Sequence, residues 1–235
     1  MSREAPARKN WGTGIVSPIS AMIFDLDGTL LDTIEDITVA SNRVYEPRGL
    51  GTFSNDEMKT LVGEGAEELI RKVFAWRGRP APDAAVIAEI LDDYRREYRA
   101  CWPDHSRPYP GVIDLLAELA RRGVKTAVLS NKSDIYTSRM TDALLPGHRF
   151  DSVRGARSGV PLKPDPSPAL AIAADLGVPA ASCAFVGDTN IDMETARAAA
   201  MLPVGALWGF RTAQELRQSG AAVLIASPLG LLELL

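Results

Sequence analysis

From about residue 19 onward, short runs of apolar side chains alternate with longer stretches of helical periodicity. Apolar residues fill 21–24, 124–129, 184–186, 202–207 and 222–225 almost without interruption. Strands that are apolar on both faces belong to a parallel sheet covered on both sides, so these runs predict the body of such a sheet. Between them, 112–122, 166–176 and 191–200 read as helices, each stopping near a glycine or proline. Strand and helix in alternation predict an α/β fold, a doubly wound, Rossmann-like parallel sheet.

The alternation is interrupted once. Between residues 33 and 108 no clear strand pattern occurs, only amphipathic stretches at 34–45, 66–76 and 84–98. That length is too great for a plain loop in a compact domain, so it predicts a small helical structure of its own. Pro103, Pro108 and Pro110-Gly111 punctuate the return to the sheet. The expected division is an α/β core of 1–32 and 109–235, with 33–108 as a helical insertion.

Composition narrows the classes. A chain of 235 residues buries roughly 70% of its unfolded surface, so it needs no disulfide or metal staple to fold. Lys and Arg total 26 against 30 Asp and Glu, a net charge of −4, which argues against a nucleic-acid partner. The cysteines, Cys101 and Cys183, form no CxxC pair, so zinc-ribbon and thioredoxin-like sites are excluded and a cytoplasmic location is expected. No apolar stretch approaches the roughly 18 residues of a membrane span, and the first twenty residues lack a signal-peptide core. No membrane partner is expected. Arg3, Arg8 and Lys9 make the leading segment mildly basic, and it reads as a solvated terminus.

Ligands of an open parallel sheet bind beyond the carboxyl ends of its strands, so chemistry is sought just after each apolar run. The first run leads into Asp25-Leu26-Asp27-Gly28-Thr29 and the second into Ser130-Asn131-Lys132. The third leads into Gly187-Asp188-Thr189-Asn190-Ile191-Asp192. Lys163 lies in Pro161-Leu162-Lys163-Pro164, just ahead of the helix before that third run. Asp25 and Asp27, two apart at an extended strand end, can point the same way, and carboxylates that close need a cation or a shared proton. Asp188 arriving from another strand favours the cation. Acidic oxygens without a neighbouring His or Cys suit Mg2+ rather than zinc. Gly28 permits a turn with exposed N–H groups and Thr29 adds a hydroxyl, the parts of an anion cradle. Lys163 would add a point charge for a phosphate oxygen or a carboxylate.

Taken together and in this order, these four stretches resemble the motifs of the haloacid dehalogenase superfamily. The likeness covers most of the chain, and the insertion falls where that superfamily places its smaller cap. Arg107-Pro108-Tyr109-Pro110-Gly111, Trp208-Gly209-Phe210-Arg211 and, in the cap, Val62-Gly63-Glu64-Gly65-Ala66 most resemble its phosphoglycolate phosphatases. The resemblance implies Asp25 as the nucleophile that forms an aspartyl-phosphate, with Asp27 acting first as acid and then as base. It implies Mg2+ held by Asp25, the backbone carbonyl of Asp27 and Asp188, with Asp192 supporting the metal's water. Gly28, Thr29, Ser130 and Asn131 would hold the phosphoryl oxygens, Lys163 would offset their charge, and Gly63 and Gly65 would touch substrate from the cap. The implied partner is a small-molecule phosphate ester, with 2-phosphoglycolate leading, and the implied assembly is a monomer or homodimer. One departure stands out: Ala200 occupies a place where these phosphatases usually carry a helix-stopping glycine, which leaves the end of that helix open.

The same motifs also serve phosphatases of sugar phosphates, pyrophosphate or nucleotides, and phosphomutases that return the phosphoryl group to a sugar. A non-enzymatic phosphate-binding regulator is disfavoured because nucleophile, acid–base residue and lysine are all present. A dehalogenase would need neither Asp27 nor Asp188. Several residues also have plainer readings: Ser130-Asn131 as a cap for a helix over 132–140, Asp192 as negative charge in a first helical turn, and Gly63 and Gly65 as a helix start. His105 and His148 lack an evident partner that would make either a base, and Trp76, Trp102 and Trp208 read as packing anchors.

Overall fold

The computed structural model describes residues 18–235, and the basic leading segment lies outside them. The chain opens with β1 (Ala21–Phe24) and β2 (Leu31–Asp32), then four helices: α1 (Ile34–Tyr45), α2 (Asn55–Leu61), α3 (Ala66–Trp76) and α4 (Ala84–Cys101). It returns through β3 (Arg107–Pro108) and continues as α5 (Val112–Arg121), β4 (Lys125–Ser133), α6 (Asp134–Leu144), β5 (Ser152–Ala156) and α7 (Ser167–Leu176). It ends with β6 (Cys183–Gly187), α8 (Asn190–Ala198), β7 (Leu202–Ala206), α9 (Ala213–Gln218), β8 (Val223–Ile225) and a 3-10 turn over Pro228–Leu234. Among the described residues no helix is long and apolar enough to cross a membrane.

Six strands pair in parallel in the order β5–β4–β1–β6–β7–β8. The α/β expectation is met. The strand order turns back on itself at β1, the point where a doubly wound sheet opens a crevice. Phe24 is level with Val128 on β4 and with Val186 on β6, so the residues that follow these three strands emerge at one edge. Met22 and Phe24 enter one hydrophobic layer with Leu115, Leu116 and Leu119 of α5. Ala21 and Ile23 enter the other, with Ile172 of α7 and Ala196 of α8. Full burial of Phe24 and Phe185 contributes on the order of 2–3 kcal/mol each.

The helical segment leaves and re-enters the sheet through one narrow place. β2 and β3 pair antiparallel, Leu31 with Pro108 and Asp32 with Arg107. Just beyond them Asp36 of α1 is fully buried and binds the returning chain. Its carboxylate accepts from the Ser106 N–H at 2.8 Å and hydroxyl at 2.5 Å, and from the His105 N–H at 3.1 Å. The His105 Nδ1 lies 3.0 Å from the same carboxylate and Nε2 lies 3.3 Å from Glu35. His105 therefore has partners after all, and they fasten the linker. His148 likewise contacts the Thr126 hydroxyl, at 2.9 Å.

Local details depart from the sequence reading for identifiable reasons. The expected helix over 132–140 begins only at Asp134, because Lys132 still belongs to β4, so Ser130-Asn131 is not its cap. β5 and α2 lacked an apolar signal: β5 is an edge strand, mostly half-exposed, and α2 buries only Met58 and Leu61. The open end of α8 is resolved by Ala200, the one non-glycine residue with positive φ (54°) among the described residues. Its N–H reaches the Arg197 carbonyl and that of Met201 reaches the Ala196 carbonyl, the paired bonds of a left-handed helix stop. A Cβ in that conformation costs about 1 kcal/mol. Ala200→Gly is therefore expected to raise unfolding free energy by roughly 0.5–1 kcal/mol in denaturant titration, the gain being trimmed by glycine's freer unfolded chain.

Candidate active site

Asp25 stands just past β1, nine-tenths or more buried, and its Oδ1 accepts from the Leu26 N–H at 2.7 Å. The Lys163 ammonium lies 2.9 Å from the same Oδ1 and 2.7 Å from Asp192 Oδ1. Asp192 is held from its other side, where Oδ2 accepts from the Thr189 N–H at 3.0 Å and its hydroxyl at 2.7 Å. That capping box starts α8, so the plain reading of Asp192 as a first-turn acid holds together with its place in the cluster. Asp188 accepts from the Thr29 hydroxyl at 2.8 Å and from the Phe210 N–H at 2.8 Å. Asp25, Asp188 and Asp192 thus bring carboxylate oxygens within 4.8 Å of one another, all buried.

Charge decides what this cluster can hold. Burial pushes the Asp25 carboxyl up to about 7 despite the pull of Lys163, with Asp192 and Asp27 adding to the push. Burial, Asp192 and Asp25 together carry Asp188 up to about 8. For Lys163, burial works against the charge, but Asp192 and Asp25 outweigh it and the ammonium is held more firmly than usual. When ionised, the three buried carboxylates outnumber the one lysine, an excess of negative charge that a hard divalent cation would balance. The donors therefore fit such an ion. Gly28, at φ +82°, has to be a glycine, because a Cβ there would run into the Asp188 carboxylate.

The structure separates the two aspartates that the sequence paired. The Asp27 carboxylate is not part of the three-acid cluster. It accepts from the Lys132 ammonium at 3.1 Å on each oxygen and from the Thr33 hydroxyl at 2.7 Å. Each of the two aspartates therefore has a lysine of its own, Lys163 for Asp25 and Lys132 for Asp27, although Asp27 still adds to the push on the Asp25 carboxyl. Gly28 and Thr29 are also engaged elsewhere than expected: the Gly28 N–H donates to the Leu31 carbonyl, the Thr29 N–H to that of Leu26, and the Thr29 hydroxyl braces Asp188.

Above this edge lies a cleft of about 530 Å³, walled below by Asp25, Asp27, Ser130 and Lys132 and above by Gly63, Gly65 and Tyr94. Asn131 ties the two sides together. Its side-chain amide donates to the Gly63 carbonyl at 3.1 Å and the Lys163 carbonyl at 2.9 Å, and its oxygen accepts from the Lys163 N–H at 2.9 Å. Trp208 and Arg211 follow β7; the first braces the turn after β1 and the second reaches the helical segment. The Trp208 indole donates to the Thr29 carbonyl at 2.9 Å, while the Arg211 guanidinium binds the Val62 carbonyl at 2.9 Å and those of Lys59 and Thr60. The sequence reading gave no role to Thr33, and none to Lys132 beyond listing it at its strand end. Only the position of Lys132 beside Ser130-Asn131 hinted at it.

The family-level comparison fits this geometry. The model of the haloacid dehalogenase-like hydrolases matches residues 22–206. The chain belongs to that family. It is 33% identical over 195 residues to a phosphoglycolate phosphatase of Agrobacterium fabrum, covering 83% of this chain and 82% of that one. A phosphoglycolate phosphatase of Aquifex aeolicus is 31% identical over 189 residues, 80% and 85% of the two chains. A solved structure from Lactobacillus delbrueckii, named as a candidate phosphoglycolate phosphatase, superposes with a TM-score of 0.86 at 31% identity. It covers 92% of this chain, which covers 98% of it. Within its family the chain is phosphoglycolate-phosphatase-like, and as an enzyme it is a phosphatase.

The raised acids make stability depend on pH in a defined direction. Between the ordinary carboxyl value of 3.8 and about 8, the folded protein keeps protons that the unfolded chain has lost, so stability falls as pH rises. A divalent cation binds the ionised acids and competes with those protons. With chelator present, the thermal midpoint is expected to fall from about pH 5 to about pH 8. Millimolar Mg2+ is expected to raise it more at the upper pH, and an equal gain at both would remove the three acids as its site.

Proposed function

We propose that this chain is a Mg2+-dependent phosphomonoester hydrolase that works through a phosphorylated Asp25, with 2-phosphoglycolate as its leading substrate. The observation that carries the reading is the setting of Asp25: a buried carboxylate in the wall of a cleft, fixed through one oxygen and bordered by two further acids. Both of its bonds fall on Oδ1, leaving Oδ2 as the attacking oxygen. Asp25, the Asp27 carbonyl, Asp188 and Asp192 would hold the ion, which when bound offsets the repulsion between carboxylate and phosphoryl oxygens. Lys163 adds a fixed positive charge to the same offset, and the Ser130 hydroxyl at the cleft wall donates to a phosphoryl oxygen.

Asp27 then divides the proton work into two halves. It gives a proton to the departing alkoxide as the P–O bond breaks, and takes one from the water that cleaves the acyl phosphate. In the same reading, residues 33–108 form a cap over a core of 1–32 and 109–235, and Gly63 and Gly65 bring the cap's loop to the leaving group. The cap then excludes bulk water while the phosphoryl group is in flight. The partner is a small phosphate ester, the compartment cytoplasmic and the assembly a monomer or homodimer. The relatives' names support the choice of 2-phosphoglycolate.

Phosphate release over a panel of phosphoglycolate, hexose phosphates, pyrophosphate and nucleotides tests both levels of this reading. Asp25→Asn is expected to lower release at least ~10³-fold on every substrate while leaving the fold intact, since the first bond cannot form. Appreciable residual turnover would remove Asp25 as the nucleophile. A profile led by a different ester would keep the phosphatase and discard the named substrate.

A further inference from the structure

Two lysines at this edge hold different acids. Lys163 serves Asp25 and Asp192, whereas Lys132, at the end of β4, serves Asp27 alone. The Lys132 side chain is 9% exposed, and its ammonium is equidistant, at 3.1 Å, from both oxygens of Asp27. A third donor, the Thr33 hydroxyl, fixes Oδ1 at 2.7 Å. On its far side the ammonium lies 4.5 Å from the centroid of the Tyr98 ring on α4, within cation–π range. Tyr98 is itself fully buried, edge-on to Tyr136 and stacked on Tyr94. The lysine is therefore clamped between a carboxylate of the core and an aromatic shelf of the helical segment.

We propose that Lys132 is a positioning residue for leaving-group departure: it aims the Asp27 carboxylate, and the Tyr98 ring keeps it there. The proposal rests on the reading of Asp27 as the acid–base residue. Its physical basis is orientation. A carboxylate at the end of a short side chain rotates about two bonds, and proton transfer is sensitive to misplacements of about 1 Å. An ammonium bound to both oxygens, with a hydroxyl on one, removes that freedom. A lysine that only balanced charge for folding would leave the reacting geometry indifferent to the leaving group.

Leaving-group dependence separates these cases. Departure of an alkyl alkoxide requires Asp27 as proton donor, whereas p-nitrophenolate departs without one. The value of kcat/KM reports the steps through departure, so it excludes the later hydrolysis common to both substrates. For Lys132→Met, kcat/KM on an alkyl monophosphate is expected to fall ~10²-fold, and that on p-nitrophenyl phosphate less than about 5-fold. Lys132→Arg, which keeps charge and two donors, is expected to recover at least about ten-fold of the loss on the alkyl ester. Tyr98→Leu, which removes the shelf and leaves the lysine, is expected to show the same selectivity at smaller size, and it serves if Lys132→Met does not fold. Equal losses on both substrates, or no recovery with arginine, would overturn the proposal. Asp27→Asn measured alongside identifies which statement has failed. If it lacks the leaving-group dependence, the acid–base reading of Asp27 falls. If it shows the dependence and Lys132→Met does not, only the role of Lys132 falls.

Discussion

Like charges packed together in a buried place set the terms for the rest of this molecule. Asp25, Asp188 and Asp192 lie at one sheet edge, with Lys163 the only lysine bonded within their cluster among the described residues. Removing such groups from water costs several kcal/mol apiece before any attraction is counted, and one ammonium cannot balance three carboxylates. The surrounding fold is arranged to hold them regardless. The level ends of β1 and β6 bring Asp25 and Asp188 to one edge, the first turn of α8 adds Asp192, and the Thr29 hydroxyl and Phe210 N–H occupy the oxygens of Asp188. The two large hydrophobic layers on either face of the sheet supply the stability that this edge lacks.

Within that constraint the acids fall into two groups with separate cations. One contains the proposed nucleophile and the acids beside it, tied to Lys163; the other is Asp27 with Lys132 and Thr33. Separation of this kind lets neighbouring carboxylates do different work, because each answers to its own environment instead of sharing one proton. Asp25 and Asp27, two residues apart, thus bond to different lysines.

Much of this was legible in the chain, and the boundary of legibility is physical. β1 reads directly because four consecutive apolar residues have no other use than a strand buried on both faces. α1 and α3 read to their ends because their apolar stripes begin and stop with the helix. The acids read because strand ends are where such sheets bind ligands. What did not read were elements and contacts with no local periodicity. β5 lies at the sheet edge and repeats no apolar pattern, and α2 carries only two buried side chains. The capping box of Ser54 and Glu57, which the sequence reading passed over, is the signal that could have located the start of α2. The grip of Lys132 on Asp27 spans 105 positions, and that of Arg211 on Val62 spans 149. Nothing near either residue in sequence announces a partner at that distance.

The pairing of β2 with β3 and the bonds of Asp36 to His105 and Ser106 have a mechanical consequence. A body joined to another by two separate cords can swing, slide and twist. Here the cords are fastened to each other where they leave the sheet, so the helical segment behaves as though mounted on one pin. A tilt about such a point displaces a group in proportion to its distance from it. Thr33 lies beside the pin, and Cys101, one turn from Tyr98, reaches the Asp36 carbonyl with its thiol. The supports of Asp27 therefore sit close to the axis, where a tilt moves things least. The stretch from Lys59 to Gly63 hangs on α2 and α3, away from the pin, and what holds it to the core is the grip of Arg211 and Asn131. Parting the two walls at that stretch would break the bonds of those two side chains, whereas the bonds of Thr33 and Lys132 to Asp27 do not cross it.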